Sequence, residues 1–72
     1  MPTIDIEKTG HNIDRIRKEK GISIKEMQEI FGFSTVNAVY NWISGKRLPS
    51  IDNLVILSSV FDMTINDILV TS

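Results

Sequence analysis

Few side chains in this sequence could do covalent or acid–base chemistry. There is one histidine, His11, and no cysteine in 72 residues. His11 has neither a second histidine nor an adjacent carboxylate pair, so no triad or metal-ligand set is assembled. It stands at a polar helix start and reads as a surface residue. Gly10, Gly21, Gly32 and Gly45 do not have the spacing of a phosphate-cradling loop and read as helix punctuation. Ser23, Ser34 and Ser50 read as helix caps rather than nucleophiles. No enzyme is expected, and no cofactor, metal or small-molecule substrate. Recognition chemistry is better supplied. Asn37 and Asn41 are four residues apart, as are Val36 and Tyr40, which on a helix makes one outward surface without formal charge. Each Asn amide carries donors and an acceptor together. An ordinary solvated helix would present Lys and Glu there, and Asn is a mediocre helix former. Lys46 and Arg47 follow directly behind this segment.

Short, well-punctuated helices must position these groups. Ile4 and Ile6 alternate with Asp5 and Glu7, which predicts an extended arm over residues 1–9 that packs along the domain or pairs with another copy. A first helix is expected at about 10–20, capped by Thr9, with Ile13, Ile16 and the Arg17 stem inward and Gly21 as its stop. Ser23-Ile24-Lys25-Glu26 is a capping box opening a second helix at about 24–31. Met27, Ile30 and Phe31 form its buried stripe, and Gly32 ends it. A third helix spans about 36–44, with Ala38, Val39 and Trp42 inward and Gly45 just past its end. After the basic loop and Pro49, Ser50 caps a fourth helix at about 51–61. Ile51, Leu54, Leu57, Ser58 and Phe61 lie on its inner side, with Val55, Ile56 and Val60 as an apolar surplus. Asp62 takes a position that needs the left-handed conformation, which Asp tolerates. Thr64 and Asp67 then cap a last helix that runs to about Leu69 or Val70.

These elements fit one small all-α domain over residues 10–70, built on a single core. The hydrophobic share is 42%, the charged share 24%, and disulfides are excluded. The start, Met1 to Asp5, has no basic or apolar leader, and the longest apolar run, Leu54 to Leu57, is far too short for a bilayer. A cytoplasmic location is expected, with no membrane partner. The net charge of −1 argues mildly against a nucleic-acid partner, but it is an average over opposed regions. Residues 8–25 hold Lys8, Arg15, Arg17, Lys18, Lys20 and Lys25 against only Asp14 and Glu19, whereas residues 48–72 hold Asp52, Asp62 and Asp67 and no cation.

Two short helices joined by a Gly-containing turn match a helix-turn-helix unit, whose second helix enters the major groove of a DNA duplex. Asn37 and Asn41 are then candidates for reading an adenine edge. Tyr40 suits a thymine methyl or a phosphate, and Thr35 suits a phosphate. Lys46 and Arg47 would hold phosphates and set register. The same residues also suit a small helical bundle in which Asn37, Tyr40 and Asn41 act as caps or interface residues. Trp42 and Met27 read as core.

From Gly10 to Leu69 the sequence resembles the DNA-binding domain of Xre/Cro-type, phage-repressor-like helix-turn-helix regulators. The resemblance rests on Arg17-Lys18-Glu19-Lys20-Gly21-Ile22-Ser23, Met27 and Gly32-Phe33-Ser34. It continues through Val39-Tyr40-Asn41-Trp42-Ile43-Ser44-Gly45-Lys46-Arg47-Leu48-Pro49 and the closing Leu54, Leu57, Phe61, Ile65 and Asp67-Ile68-Leu69. It implies a five-helix repressor-like domain behind a short extended arm, and binding to double-stranded DNA as a homodimer. Val36, Asn37, Tyr40 and Asn41 match base-facing positions. Thr35, Lys46 and Arg47 match positions that touch the DNA backbone, with Lys25 and Arg17 as further backbone candidates. Three departures stand out. Ile24 replaces a phosphate-binding Gln. Ile43 replaces the Glu that pairs with the Arg at position 17, so Arg17 needs another acceptor. One extra residue lies between Gly32 and Trp42, which lengthens the turn.

The expected function is that of a sequence-specific transcriptional regulator that represses by occupying an operator, since 72 residues show no effector domain. Self-association is expected through the fourth and fifth helices, with Val55, Ile56, Val60 and Ile65 as the pairing candidates. The alternative is a protein-interaction module on the same fold, an antitoxin-like or anti-regulator adaptor, which the near-neutral charge and the apolar surplus favour.

Overall fold

The computed structural model describes residues 2–72, and among them the chain forms five α-helices: α1 (Ile6–Glu19), α2 (Ile24–Phe31), α3 (Asn37–Ile43), α4 (Ile51–Phe61) and α5 (Ile65–Ile68). The only strand-like pairing among these residues is an isolated antiparallel bridge between Ile4 and Thr71. The all-α, five-helix expectation holds, and α2 and α4 have the expected bounds.

Residues with matching shape and periodicity build the core. Ile13 and Ile16 of α1, Met27 of α2, Val39 and Trp42 of α3, Leu57 and Phe61 of α4 and Ile68 of α5 are all buried. Each large aliphatic or aromatic side chain removed from water contributes about 1.5–3 kcal/mol, so this one cluster carries the fold. α1 lies against α3, and α5 closes the base between α1 and α4. Gly21, Gly32 and Gly45 all have positive φ. Asp62 at φ 54 ends α4 in the left-handed conformation expected of it.

The N-terminal end departs from expectation. Helix α1 starts at Ile6, four residues before Gly10, because the Asp5 carboxylate caps it by accepting from the Lys8 N–H at 2.9 Å. Thr9 is therefore not a cap but a buried helical residue. Its hydroxyl accepts from the Val70 N–H at 2.9 Å and donates to the Val70 carbonyl at 3.4 Å. Gly10 is not punctuation either, since it sits inside α1 against the backbone of α3. Met1 of the expected arm lies outside the described residues, and the extended part of the rest shortens to residues 2–4, next to which Asp5 N–H donates to Val70 O and Ser72 N–H to Thr3 O.

Two apolar residues assigned to buried stripes are exposed: Ile51 at 77% and Ile30 at 46%. Ile51 is the first residue of α4, and at about 100° per residue it points roughly 90° away from the mean direction of Leu54, Leu57 and Phe61. Val55 and Ile56 are exposed as well, whereas Val60 and Ile65 are half-buried and pack against the core.

Candidate nucleic-acid interface

The second and third helices are set at their ends by local chemistry. Ser23 accepts from the Glu26 N–H while the Glu26 carboxylate accepts from the Ser23 N–H, both at 3.0 Å, which completes the capping box of α2. The Ser23 hydrogen bonds hold the Glu26 carboxyl below its ordinary value. At the other end, Gly32 at φ 68 lets the Phe33 N–H reach back to the Gln28 carbonyl and the Gly32 N–H to that of Glu29, a Schellman closure. Helix α3 has no side-chain cap, and Ser34 does not cap it. The Thr35 hydroxyl instead accepts from the Asn37 N–H at 3.2 Å.

The angle between α2 and α3 is fixed by three rings. Phe31 and Phe33 stack at 5.6 Å, and both present edge-on to Trp42 of α3, at 5.1 and 5.5 Å. With Trp42 and Val39 held inward, the opposite side of α3 faces out. Asn37 and Tyr40 are exposed, and Val36 and Asn41 are half-exposed. Among the described residues, neither Asn amide nor the Tyr40 hydroxyl makes an internal hydrogen bond. These four side chains form one uncharged surface whose donors and acceptors are available to a partner.

The basic loop is tied to that surface. The Asn41 carbonyl accepts from both the Lys46 N–H at 3.0 Å and the Arg47 N–H at 3.1 Å, across a Gly45 at φ 79. Lys46 and Arg47 thus emerge directly beneath the C-terminal turn of α3, exposed and in no ion pair among the described residues. Lys25 is exposed in the first turn of α2, and its ammonium donates to the Gln28 side-chain oxygen at 3.2 Å.

Arg17 does not belong to this surface. Its guanidinium donates to Asp14 at 2.7 Å and to the Ile22 carbonyl at 2.7 Å, and only 12% of its side chain is exposed. The acceptor that Ile43 fails to supply comes from Asp14, so the guanidinium expected at a DNA backbone is engaged within the domain. Lys18 also pairs with Asp14, and Arg15 with Glu19, so Arg15, Arg17 and Lys18 are ion-paired within α1 while the net positive surplus of residues 8–25 remains. Partial burial pushes the Asp14 carboxyl up, but the hydrogen bonds and charges of Arg17 and Lys18 together outweigh it and leave the group below its ordinary value. Ile24 packs half-buried against the core and offers nothing to a phosphate. His11 is exposed.

Two residues missed from the sequence make hydrogen bonds between elements, and of these the bond of Gln28 lies at the site. Gln28 bonds the turn at Phe33, and Asn12 donates to the carbonyls of Asp67 and Ile68 at the end of α5. Both are polar helix residues of ordinary type, and only tertiary contacts distinguish them from solvated ones. A family model described as helix-turn-helix matches residues 13–68. No curated protein and no solved structure matches the chain.

Proposed function

The chain belongs to the Xre/Cro-type helix-turn-helix family of DNA-binding transcription regulators, and from that premise we propose that it is a repressor that occupies a specific operator as a homodimer. Val36, Asn37, Tyr40 and Asn41 face the bases, and Thr35, Lys46, Arg47 and Lys25 face the phosphates. One observation carries the reading. An uncharged helix face with two Asn amides unengaged among the described residues is joined, through the Asn41 carbonyl, to two cations likewise unpaired among them. A groove-reading helix needs hydrogen-bonding groups at its centre and positive charge at its flank. Occupancy by such a helix blocks other proteins from the same groove.

One helix reads only a few base pairs, and pairing of two copies supplies the rest of the affinity. The exposed Val55 and Ile56, with the half-buried Val60 and Ile65, are the proposed pairing residues. The protein-interaction reading instead has α3 contact a protein, and the exposed apolar residues of α4 favour it. Fluorescence anisotropy of a labelled random duplex pool at low salt, with sedimentation of the free protein, separates the two. Binding that falls steeply with salt supports the repressor, and absence of duplex binding overturns it.

A further inference from the structure

The turn between α2 and α3 is five residues long, Gly32 to Val36, and α3 begins without a side-chain cap. The three rings fix the angle between α2 and α3, but a long turn leaves slack in the register of the recognition helix along that contact. Gln28 takes up that slack. Its backbone carbonyl accepts from the Phe33 N–H at 3.1 Å, and its side-chain Nε2 donates to the Phe33 carbonyl at 3.0 Å. One residue of α2 therefore grips both polar backbone groups of one residue of the turn. The ring of that same Phe33 presses edge-on against Trp42 at 5.5 Å. A continuous path runs from Gln28 through Phe33 to the buried side of α3, whose opposite side carries Asn37 and Asn41. The Gln28 Oε1 also receives the Lys25 ammonium, so the amide that clamps the turn is oriented from the α2 side too.

We propose that Gln28 is a positioning residue for DNA reading: it touches no base, and it sets the register of α3 through Phe33. This rests on the DNA-reading proposal above. The Schellman bond from the Phe33 N–H needs only the Gln28 backbone and survives any substitution there. The side-chain bond is what a variant removes. Gln28 is half-buried and outside the core, so its loss leaves the fold in place.

The test uses the duplex that the wild-type protein enriches from a random library, together with versions of it carrying single base changes. Gln28→Ala is expected to lower discrimination between the enriched duplex and its variants by about tenfold, comparable to one well-made side-chain-to-base pair. Binding to unrelated duplex, and its salt slope, are expected to stay within about twofold, because phosphate contacts carry that affinity. Gln28→Glu separates the two roles of the amide. It keeps an oxygen for Lys25 but has no donor for the Phe33 carbonyl, so it is expected to lose discrimination as Gln28→Ala does. Circular dichroism melts confirm that both variants are folded. Undiminished discrimination in Gln28→Ala overturns the inference while leaving the DNA reading intact. Wild-type discrimination in Gln28→Glu also overturns it, since Lys25 placement would then be what matters. If the wild-type protein enriches no duplex, the DNA reading falls, and this inference with it.

Discussion

Gly10 of α1 and Trp42 of α3 meet backbone to backbone. A Cβ on Gly10 would collide with the Trp42 carbonyl oxygen and lie 2.8 Å from that of Ile43. The atoms in the way are main chain and cannot swing aside as a side-chain tip could. In an exposed helix, Gly→Ala stabilises by about 1 kcal/mol through propensity. Here overpacking of about 1–3 kcal/mol opposes it, and because backbone must move, the upper part of that range applies. Gly10→Ala is therefore expected to destabilise the domain by about 1–2 kcal/mol and lower its melting temperature by about 5–15 °C. A thermal melt followed by circular dichroism reads this, and an unchanged or raised midpoint would contradict the close approach of α1 and α3.

The Asp14–Arg17 pair predicts a pH dependence of stability. The folded Asp14 carboxyl lies below its ordinary value of 3.8, so the folded state takes up its proton less readily than the unfolded state does. Its contribution is complete above the unfolded value and is lost as pH falls through the folded one. The side chains are 12% and 23% exposed, between the regime of exposed pairs, near 0–1 kcal/mol, and that of fully buried ones, about 3–5 kcal/mol. Asp14→Asn is expected to cost about 1–2 kcal/mol near neutral pH. Urea unfolding of both proteins across the acid range should show that difference shrinking below the ordinary carboxylate value. A difference that persists unchanged at the lowest pH would assign the effect to packing instead.

What could be read from the sequence divides along physical lines. Helices α2 and α4 were legible to their ends because Ser23, Glu26, Ser50, Gly32 and Asp62 make their caps within a few residues of themselves. The start of α1 was not, since Asp5 and Thr9 are both competent caps and the choice depends on the opposite end of the chain. Val70 claims the Thr9 hydroxyl, and Trp42 claims the space beside Gly10. The outward face of α3 followed from the spacing of Asn37 and Asn41 around a buried Trp42. The fate of Arg17 did not, because one of its acceptors is a backbone carbonyl, Ile22 O, whose direction no residue type reveals. The same holds for Gln28 and its bond to Phe33.

Lys46 is exposed and unpaired among the described residues, and its contact with DNA in the proposed complex is with phosphate. Its loss should release one fewer counterion on binding. Lys46→Ala is expected to weaken binding to every duplex sequence to a similar extent and to reduce the slope of log affinity against log salt by about one unit. Anisotropy titrations at several salt concentrations give the slope directly. A variant that loses affinity for one sequence only would place Lys46 at a base rather than at the backbone.

Asn41 permits a clean separation of side chain from backbone. Its carbonyl holds Lys46 and Arg47 in place, and its amide makes no internal hydrogen bond among the described residues. Asn41→Ala therefore leaves the basic loop anchored and removes only the group that faces DNA in the proposed complex, and Ala is the better helix former. The variant is expected to fold at least as stably as the parent, to keep its affinity for unrelated duplex, and to lose about 1–3 kcal/mol on the selected site with relaxed preference at one base pair. Asn37→Ala, one turn earlier, should relax a different base pair, because the two amides are one helical turn apart. Repeating the library selection with each variant locates the positions. Retained affinity and an unchanged consensus in both would show that the α3 face is not the surface that reads DNA.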